Sequence, residues 1–124
     1  MQPIKQTIGI VGQGYVGTAL KEGMSKHYDV ETFDINLNLS TVDNIRDLIV
    51  SSSMVFVCVP TPMKRDGSCD TSIVESVVKD IDEAQQWCLN SMLNHGIQPV
   101  EKRAIIILKS TIPPGTTDKL NKKY

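Results

Sequence analysis

The sequence lacks the features that mark membrane, secreted and metal-binding proteins. It has no apolar run near the length of about 18 residues that a membrane span needs, and no signal-peptide pattern near Met1. Its three cysteines, at positions 58, 69 and 88, are an odd number and show no Cys-x-x-Cys spacing. His27 and His95 are far apart in the sequence. We therefore expect no disulfide framework, no metal site, no membrane association and a cytoplasmic location.

An excess of positive charge is also missing. The chain has 13 basic and 14 acidic residues, so nothing in its overall charge favours a nucleic-acid partner. Its 124 residues, with 40% hydrophobic and 22% charged side chains, fit one globular domain spanning residues 1–124.

Short apolar runs alternate with longer segments of helical periodicity, an order typical of a parallel sheet covered by helices. The predicted strands are Thr7–Val11, Val30–Asp34, Met54–Val59 and Ala104–Leu108. The predicted helices are Tyr15–Lys26, Thr41–Val50, Thr71–Leu93 and a last one from Thr116 onward. Residues 94–103 are predicted to form a polar loop.

This pattern predicts an α/β fold, the first half of a Rossmann-type doubly wound parallel sheet in three α/β/α layers. Right-handed crossovers between the strands lead us to expect the strand order 3-2-1-4. Ligands of such sheets bind beyond the carboxyl ends of the strands. The loops expected there are residues 12–17, 34–40, 60–70 and 110–116.

A glycine-rich loop joins the first predicted strand to the first predicted helix. Its residues are Gly12, Gln13, Gly14, Tyr15, Val16 and Gly17. In a dinucleotide-binding loop, the first glycine permits the turn, the second lets the diphosphate approach the backbone, and the third lets the helix pack on the sheet. The helix N-terminus then offers N–H groups to the diphosphate. The alternative interpretation is a tight glycine turn that binds nothing.

Asp34 ends the second predicted strand, seventeen residues after Gly17. A carboxylate at this place can accept both ribose hydroxyls of an adenosine, and it repels the additional phosphate of NADP. The first basic residue after it is Arg46, too far along the chain to offset that repulsion. The sequence therefore predicts NAD as the cofactor, the alternative for Asp34 being an ordinary turn residue at a strand end.

Three blocks of sequence resemble the N-terminal domain of the UDP-glucose/GDP-mannose dehydrogenase family. The first is residues 8–17 with Gly-Tyr-Val-Gly at its end, and the second is Val-Cys-Val-Pro-Thr-Pro at residues 57–62 with Asp66, Gly67, Ser68 and Asp70. The third, Lys-Ser-Thr-Ile-Pro-Pro-Gly-Thr-Thr at residues 109–117, is the most family-specific. They occur in the family's order over nearly the whole chain.

The resemblance implies oxidation of the C6 alcohol of a nucleotide sugar to a carboxylate with NAD. It implies that Val59, Pro60 and Thr61 line the nicotinamide-ribose side of the cofactor. It also implies that Thr111 lies near the nicotinamide and helps to hold a catalytic water or the substrate oxygen, a supporting catalytic role. The alternative for Ser110 and Thr111 is a turn that enters the last helix.

The chain departs from the family in three respects. The family's nucleophilic cysteine, its partner lysine and the sugar-nucleotide site belong to later domains, and none of the cysteines present occupies the nucleophile's motif. The connection between Asp34 and Met54 is short and lacks the family's Tyr-Glu-Pro-Gly-Leu-like stretch. The sequence stops at Tyr124, within the predicted helix after the fourth strand, so we expect an open edge at that strand and self-association unless something covers it.

Three hypotheses follow from these observations. The first is the NAD-binding domain of a nucleotide-sugar dehydrogenase, inactive in isolation because the substrate requires the absent domains. The second is a non-catalytic module that binds NAD. The third is a domain like that of the β-hydroxyacid dehydrogenases, which tolerates the short connection after Asp34 but does not typically share the block at residues 109–117.

Overall fold

The computed structural model describes residues 6–96 and 104–124, which alternate between strands and helices. The strands are β1 Thr7–Val11, β2 Asp29–Phe33, β3 Met54–Val57 and β4 Ile105–Leu108. The helices are α1 Tyr15–Met24, α2 Ile45–Ser51, α3 Ser72–Asn94 and α4 Thr116–Lys123, with a single 3-10 turn at Leu37–Leu39. Most of the predicted polar loop, residues 97–103, lies outside the described residues.

The predicted elements are all present, and the largest difference in bounds is at α2. This helix begins at Ile45 rather than Thr41, because Asn44 accepts a hydrogen bond from the Asp47 N–H (2.9 Å) and thereby caps it. Thr41 instead pairs with β2, where its N–H donates to the Thr32 carbonyl oxygen (2.9 Å). The residues between β2 and α2 are therefore held against the sheet.

All four strands are parallel, and their order is β2-β1-β3-β4. The Rossmann-type α/β fold class is confirmed, but the predicted order 3-2-1-4 is wrong, because β3 pairs with β1 and not with β2. β2 carries Asp29 and Glu31 and is only partly buried, so it suits an edge, whereas β1 and β3 are apolar and almost wholly buried. Pairing order depends on such differences between strands, which periodicity alone does not reveal.

The helices lie on both faces of the sheet, as the predicted three layers require. On one face, Leu20 and Met24 of α1 pack against Ile8, Ile10 and Phe56. On the other face, a second cluster joins the sheet to α2 and α3 and contains Val11, Leu48, Ile49, Val55, Val57, Ile81 and Ala84. Since α1 and α2 lie on opposite faces, right-handed crossovers carry the chain in opposite directions from β1. The carboxyl ends of β1 and β3 therefore flank a topological switch point, where doubly wound folds bind their ligands.

Candidate functional site

A crevice of about 1050 Å³ opens at the carboxyl edge of the sheet, beside the switch point. The loops that follow all four strands contribute to its walls. Of the eleven residues that the sequence predicts for cofactor binding, ten line this crevice, namely Gly12, Gln13, Gly14, Tyr15, Val16, Asp34, Val59, Pro60, Thr61 and Thr111. Gly17 lies behind the loop, where it is buried in the first turn of α1.

Gly12 and Gly17 allow the loop to pass close to its neighbours. Gly12 has a φ of 96°, and a β-carbon there would lie 2.5 Å from the Cys58 carbonyl oxygen. A β-carbon on Gly17 would lie 1.9 Å from the Gly12 carbonyl oxygen. Both distances are far below van der Waals contact, so any side chain at either position would displace the backbone that it meets.

Gly14 differs from these two glycines because the space beside it is open. Apart from Gly14 itself and its two chain neighbours, no described residue has a heavy atom within 4 Å of the place where its β-carbon would stand, and its φ of −74° is ordinary for any residue. The first intrahelical hydrogen bond of α1 runs from the Thr18 N–H to the Gly14 carbonyl oxygen (2.9 Å). The N–H groups of residues 15–17 precede it and remain available to an anion. Gly14 thus leaves open space at the start of α1, next to these donors.

The side chains around the loop hold it without filling that space. Gln13 is 8% exposed, and its Nε2 donates to the Gly12 carbonyl oxygen (3.0 Å). The Thr18 hydroxyl donates to the Gln13 carbonyl oxygen (3.0 Å). These contacts fix the turn from two sides and keep the polar side chain of Gln13 folded back against the loop.

Asp34 follows β2 directly and lies beside the glycine loop. Its Oδ2 accepts a hydrogen bond from the Gln13 N–H and its Oδ1 accepts one from the Asn36 N–H, each at 2.8 Å. A carboxylate has about four lone-pair sites, so each oxygen can still accept a hydroxyl hydrogen. The Asp34 backbone is held by Ser40, whose hydroxyl accepts from the Asp34 N–H (2.8 Å) and donates to the Asp34 carbonyl oxygen (3.0 Å).

The ends of β3 and β4 meet at the other side of the crevice. The Ser110 hydroxyl donates to the Val59 carbonyl oxygen (2.7 Å), which ties the loop after β4 to the loop after β3. Thr111 is exposed at the crevice, and its carbonyl oxygen accepts a weak hydrogen bond from the Cys69 thiol (3.5 Å). The hydroxyl of Thr111 forms no hydrogen bond within the described residues, so it is free for a ligand.

An apolar wall of the crevice was not predicted from the sequence. It consists of Ile35 and Leu39 after β2, Ile45 at the start of α2, and Ile73 and Val77 in the first turns of α3. The order of the elements in the sequence could have indicated this wall, because the helix after β3 must begin at the carboxyl edge of the sheet, where its first residues border the ligand crevice. Such a wall suits the flat apolar faces of a nucleotide base.

Two of the cysteines, Cys58 and Cys88, lie in surroundings that disfavour the nucleophilic thiolate. Burial raises the pKa of the Cys58 thiol, and the Lys109 ammonium nearby only partly offsets this. Burial likewise raises the pKa of Cys88, with a smaller opposing effect from Arg46. Both side chains therefore remain protonated thiols at neutral pH, the less reactive form.

Within residues 6–96 and 104–124, no cluster of metal-ligating side chains is found and no helix is long and apolar enough to cross a membrane.

Comparison with known proteins gives a match to one family over most of the chain. Residues 36–124 match the model of the NAD binding domain of the UDP-glucose/GDP-mannose dehydrogenase family. This match includes the blocks after β3 and β4 but begins after the glycine loop and Asp34. A cofactor-binding role for the glycine loop and Asp34 therefore depends on the positions and hydrogen bonds of these residues in the structure.

Individual relatives agree with the family match. A Bacillus subtilis protein assigned as a UDP-glucose 6-dehydrogenase is 28% identical over 143 residues, covering 94% of this chain and 30% of that protein. A UDP-N-acetyl-D-mannosamine dehydrogenase of Methanococcus maripaludis is 29% identical over 151 residues, covering 94% of this chain and 32% of its own length. This chain thus spans about a third of the length of these two relatives.

A solved structure shows the same fold. The UDP-glucose dehydrogenase of Pyrobaculum islandicum superposes with a TM-score of 0.75 at 20% identity, covering 99% of this chain and 33% of that chain. The fold of the described residues is therefore that of one part of a larger dehydrogenase.

Proposed function

Because this chain belongs to the UDP-glucose/GDP-mannose dehydrogenase family as a NAD-binding domain, we propose that its crevice holds NAD for the oxidation of a nucleotide sugar at C6. The adenosine half would lie between Asp34 and the apolar wall, and the diphosphate at the glycine loop. The nicotinamide half would lie by the ends of β3 and β4. The sugar nucleotide would require domains outside these 124 residues.

The observation that carries this proposal is the open space at Gly14. Gly12 and Gly17 must be glycines because a β-carbon at either would collide with backbone, but Gly14 has no such need, since no described residue lies close to the place of its β-carbon. The absence of a side chain there is explained by a ligand that approaches the N-terminus of α1. A diphosphate has the charge and the acceptor oxygens for that position.

At the nicotinamide end, the chain would position the cofactor and the substrate oxygen. Bound NAD supplies the hydride acceptor. Val59, Pro60 and Thr61 would form the wall against the nicotinamide ribose. The free hydroxyl of Thr111 would donate to, or accept from, a water or the substrate oxygen beside the nicotinamide, and Ser110 holds this loop in place.

We expect the chain to bind NAD about a hundredfold more tightly than NADP. The carboxylate of Asp34 accepts ribose hydroxyls but repels a phosphate placed about 4 Å away, by roughly 4 kcal/mol before solvent screening reduces it. No basic residue occurs between Asp34 and Arg46 to compensate. Isothermal titration calorimetry with each dinucleotide measures the ratio.

In Asp34→Ala the preference for NAD should nearly disappear, whereas Asp43→Ala should keep it. Asp43 is an exposed carboxylate of the same connection, and no described residue donates a hydrogen bond to it. Equal affinity of the wild-type chain for NAD and NADP would contradict the proposed role of Asp34.

We further propose that the chain self-associates through β4, the last strand of the sheet within the described residues. At the other edge, Thr41 bonds to the backbone of β2, and charged residues of β2 disfavour pairing with another strand. The four residues of β4, in contrast, are all apolar, and Ile105 is 60% exposed. Sedimentation velocity over a concentration series should show association of the wild-type chain and a monomer for Ile105→Lys. The control Val50→Lys, at a residue of α2 that is 63% exposed, should still associate. A wild-type chain that stays monomeric throughout the series would contradict this proposal.

A further inference from the structure

Asp34 forms a hydrogen bond that ribose recognition does not require. Its carboxylate accepts from the Gln13 N–H at 2.8 Å, although the two residues are 21 positions apart in the sequence. The last backbone hydrogen bond between these segments runs from the Gly12 N–H to the Phe33 carbonyl oxygen (2.8 Å). The carboxylate therefore adds one more connection between β1 and β2, and it places this connection inside the glycine loop.

The glycine loop needs such a connection because its sequence favours disorder. Gly12 and Gly14 flank Gln13, and glycine loses more conformational freedom on ordering than any other residue. A loop that becomes ordered only when the ligand arrives binds it more weakly than one that is already in place. Because the Gln13 N–H lies between the two glycines, a single hydrogen bond to it restricts the backbone motion of both.

Asp34 is itself held in place on its other side. The Asn36 N–H donates to its second carboxylate oxygen, the Ser40 hydroxyl accepts from the Asp34 N–H, and the same hydroxyl donates to the Asp34 carbonyl oxygen. Thr41 reinforces the same segment, because its hydroxyl accepts from the Thr32 N–H (2.8 Å). The short connection after β2 thus fixes Asp34, which in turn fixes the loop.

We propose that Asp34 is a positioning residue for the diphosphate site, in addition to its contact with ribose, and holds the glycine loop in its binding conformation before the cofactor arrives. The proposal rests on the proposed function of this crevice as a NAD site. A positioning role predicts that Asp34 also strengthens the binding of ligands that have a diphosphate but no ribose hydroxyls. A residue that only contacts ribose has no favourable effect on them, and its negative charge repels their phosphates.

The test is an NMR titration with ADP and with 2′,3′-dideoxy-ADP, which keeps the base and the diphosphate but has no ribose hydroxyls. We expect Asp34→Ala to weaken binding of dideoxy-ADP by about tenfold, the effect of losing a hydrogen bond to a charged group. Asp34→Asn should give a smaller loss, because one carbonyl oxygen can replace only one of the two accepted bonds. Asp43→Ala, which removes an equal charge from the exposed connection, should not weaken it.

Hydrogen exchange of the ligand-free chain provides a second measurement. The Gln13 amide should be protected in the wild-type chain and lose protection in Asp34→Ala, while the Thr18 amide inside α1 keeps its protection in both. Dideoxy-ADP affinity that is unchanged or higher in Asp34→Ala, with ADP affinity reduced, would overturn the positioning role and leave the NAD site intact. Failure of the wild-type chain to bind ADP or NAD at all would overturn both proposals.

Discussion

Replacing Gly14 by valine is expected to weaken NAD binding by at least about a hundredfold, because the side chain would block at least two hydrogen bonds from the start of α1 to the diphosphate. The valine side chain would occupy the open space at the start of α1, next to the N–H groups of residues 15–17. The free energy of unfolding should fall by only about 1 kcal/mol, the cost of a poorer N-cap residue, because the site is open. Calorimetric titration and chemical denaturation of the same samples measure the two effects.

Gly23→Ala is the matched control for this substitution. Gly23 belongs to the same helix, and the place of its β-carbon is equally open, but it lies two turns beyond the loop. Alanine there should stabilise the chain by up to about 1 kcal/mol and leave NAD affinity unchanged. If Gly14→Val kept wild-type NAD affinity, the diphosphate could not lie at the N-terminus of α1.

Unlike Gly14→Val, which should mainly lower NAD affinity, Gly17→Ala is expected to destabilise the fold itself. Its β-carbon would lie 1.9 Å from the Gly12 carbonyl oxygen and 2.9 Å from the Gly12 carbonyl carbon, and both are backbone atoms that no side-chain rotation can move. Relief requires α1 to move away from the end of β1, so we expect a loss of about 3 kcal/mol or more in the free energy of unfolding. Urea denaturation followed by circular dichroism measures it.

The contrast between the two variants separates packing from binding. Gly14→Val should fold normally and fail to bind, whereas Gly17→Ala should lose stability and lose NAD binding because the loop is displaced. A Gly17→Ala chain as stable as the wild type would show that α1 does not pack against the loop as closely as these distances require.

Much of this fold could be predicted because buried and exposed elements differ in composition. β1 is a short apolar run that ends at Gly12, β3 is another that Pro60 follows after two residues, and α1, α2 and α3 have periodic apolar faces. The order of the strands could not be read in this way. Pairing depends on which face each connecting helix takes, and α2 takes the face opposite to α1.

The predicted site residues could be placed in a common crevice for a related reason, since parallel strands bring the loops at their carboxyl ends together. The hydrogen bond from the Gln13 N–H to Asp34 could not be anticipated. Its existence depends on the direction of one peptide group in a glycine loop, and on residues 39–42 folding onto the edge of β2 instead of starting α2. Sequence indicates which residues meet at the crevice, and the loop conformation decides which of their atoms bond.

The most direct test of the central proposal is an NMR titration of the isotopically labelled chain with NAD. We expect saturable shifts for the amides of residues 12–17, for those around Asp34 and for those at the ends of β3 and β4. Little change is expected in the separate groove between α3 and α4, which Gln85 and Tyr124 line. Absence of saturable shifts at the glycine loop, or a saturable response centred on the α3–α4 groove, would contradict it.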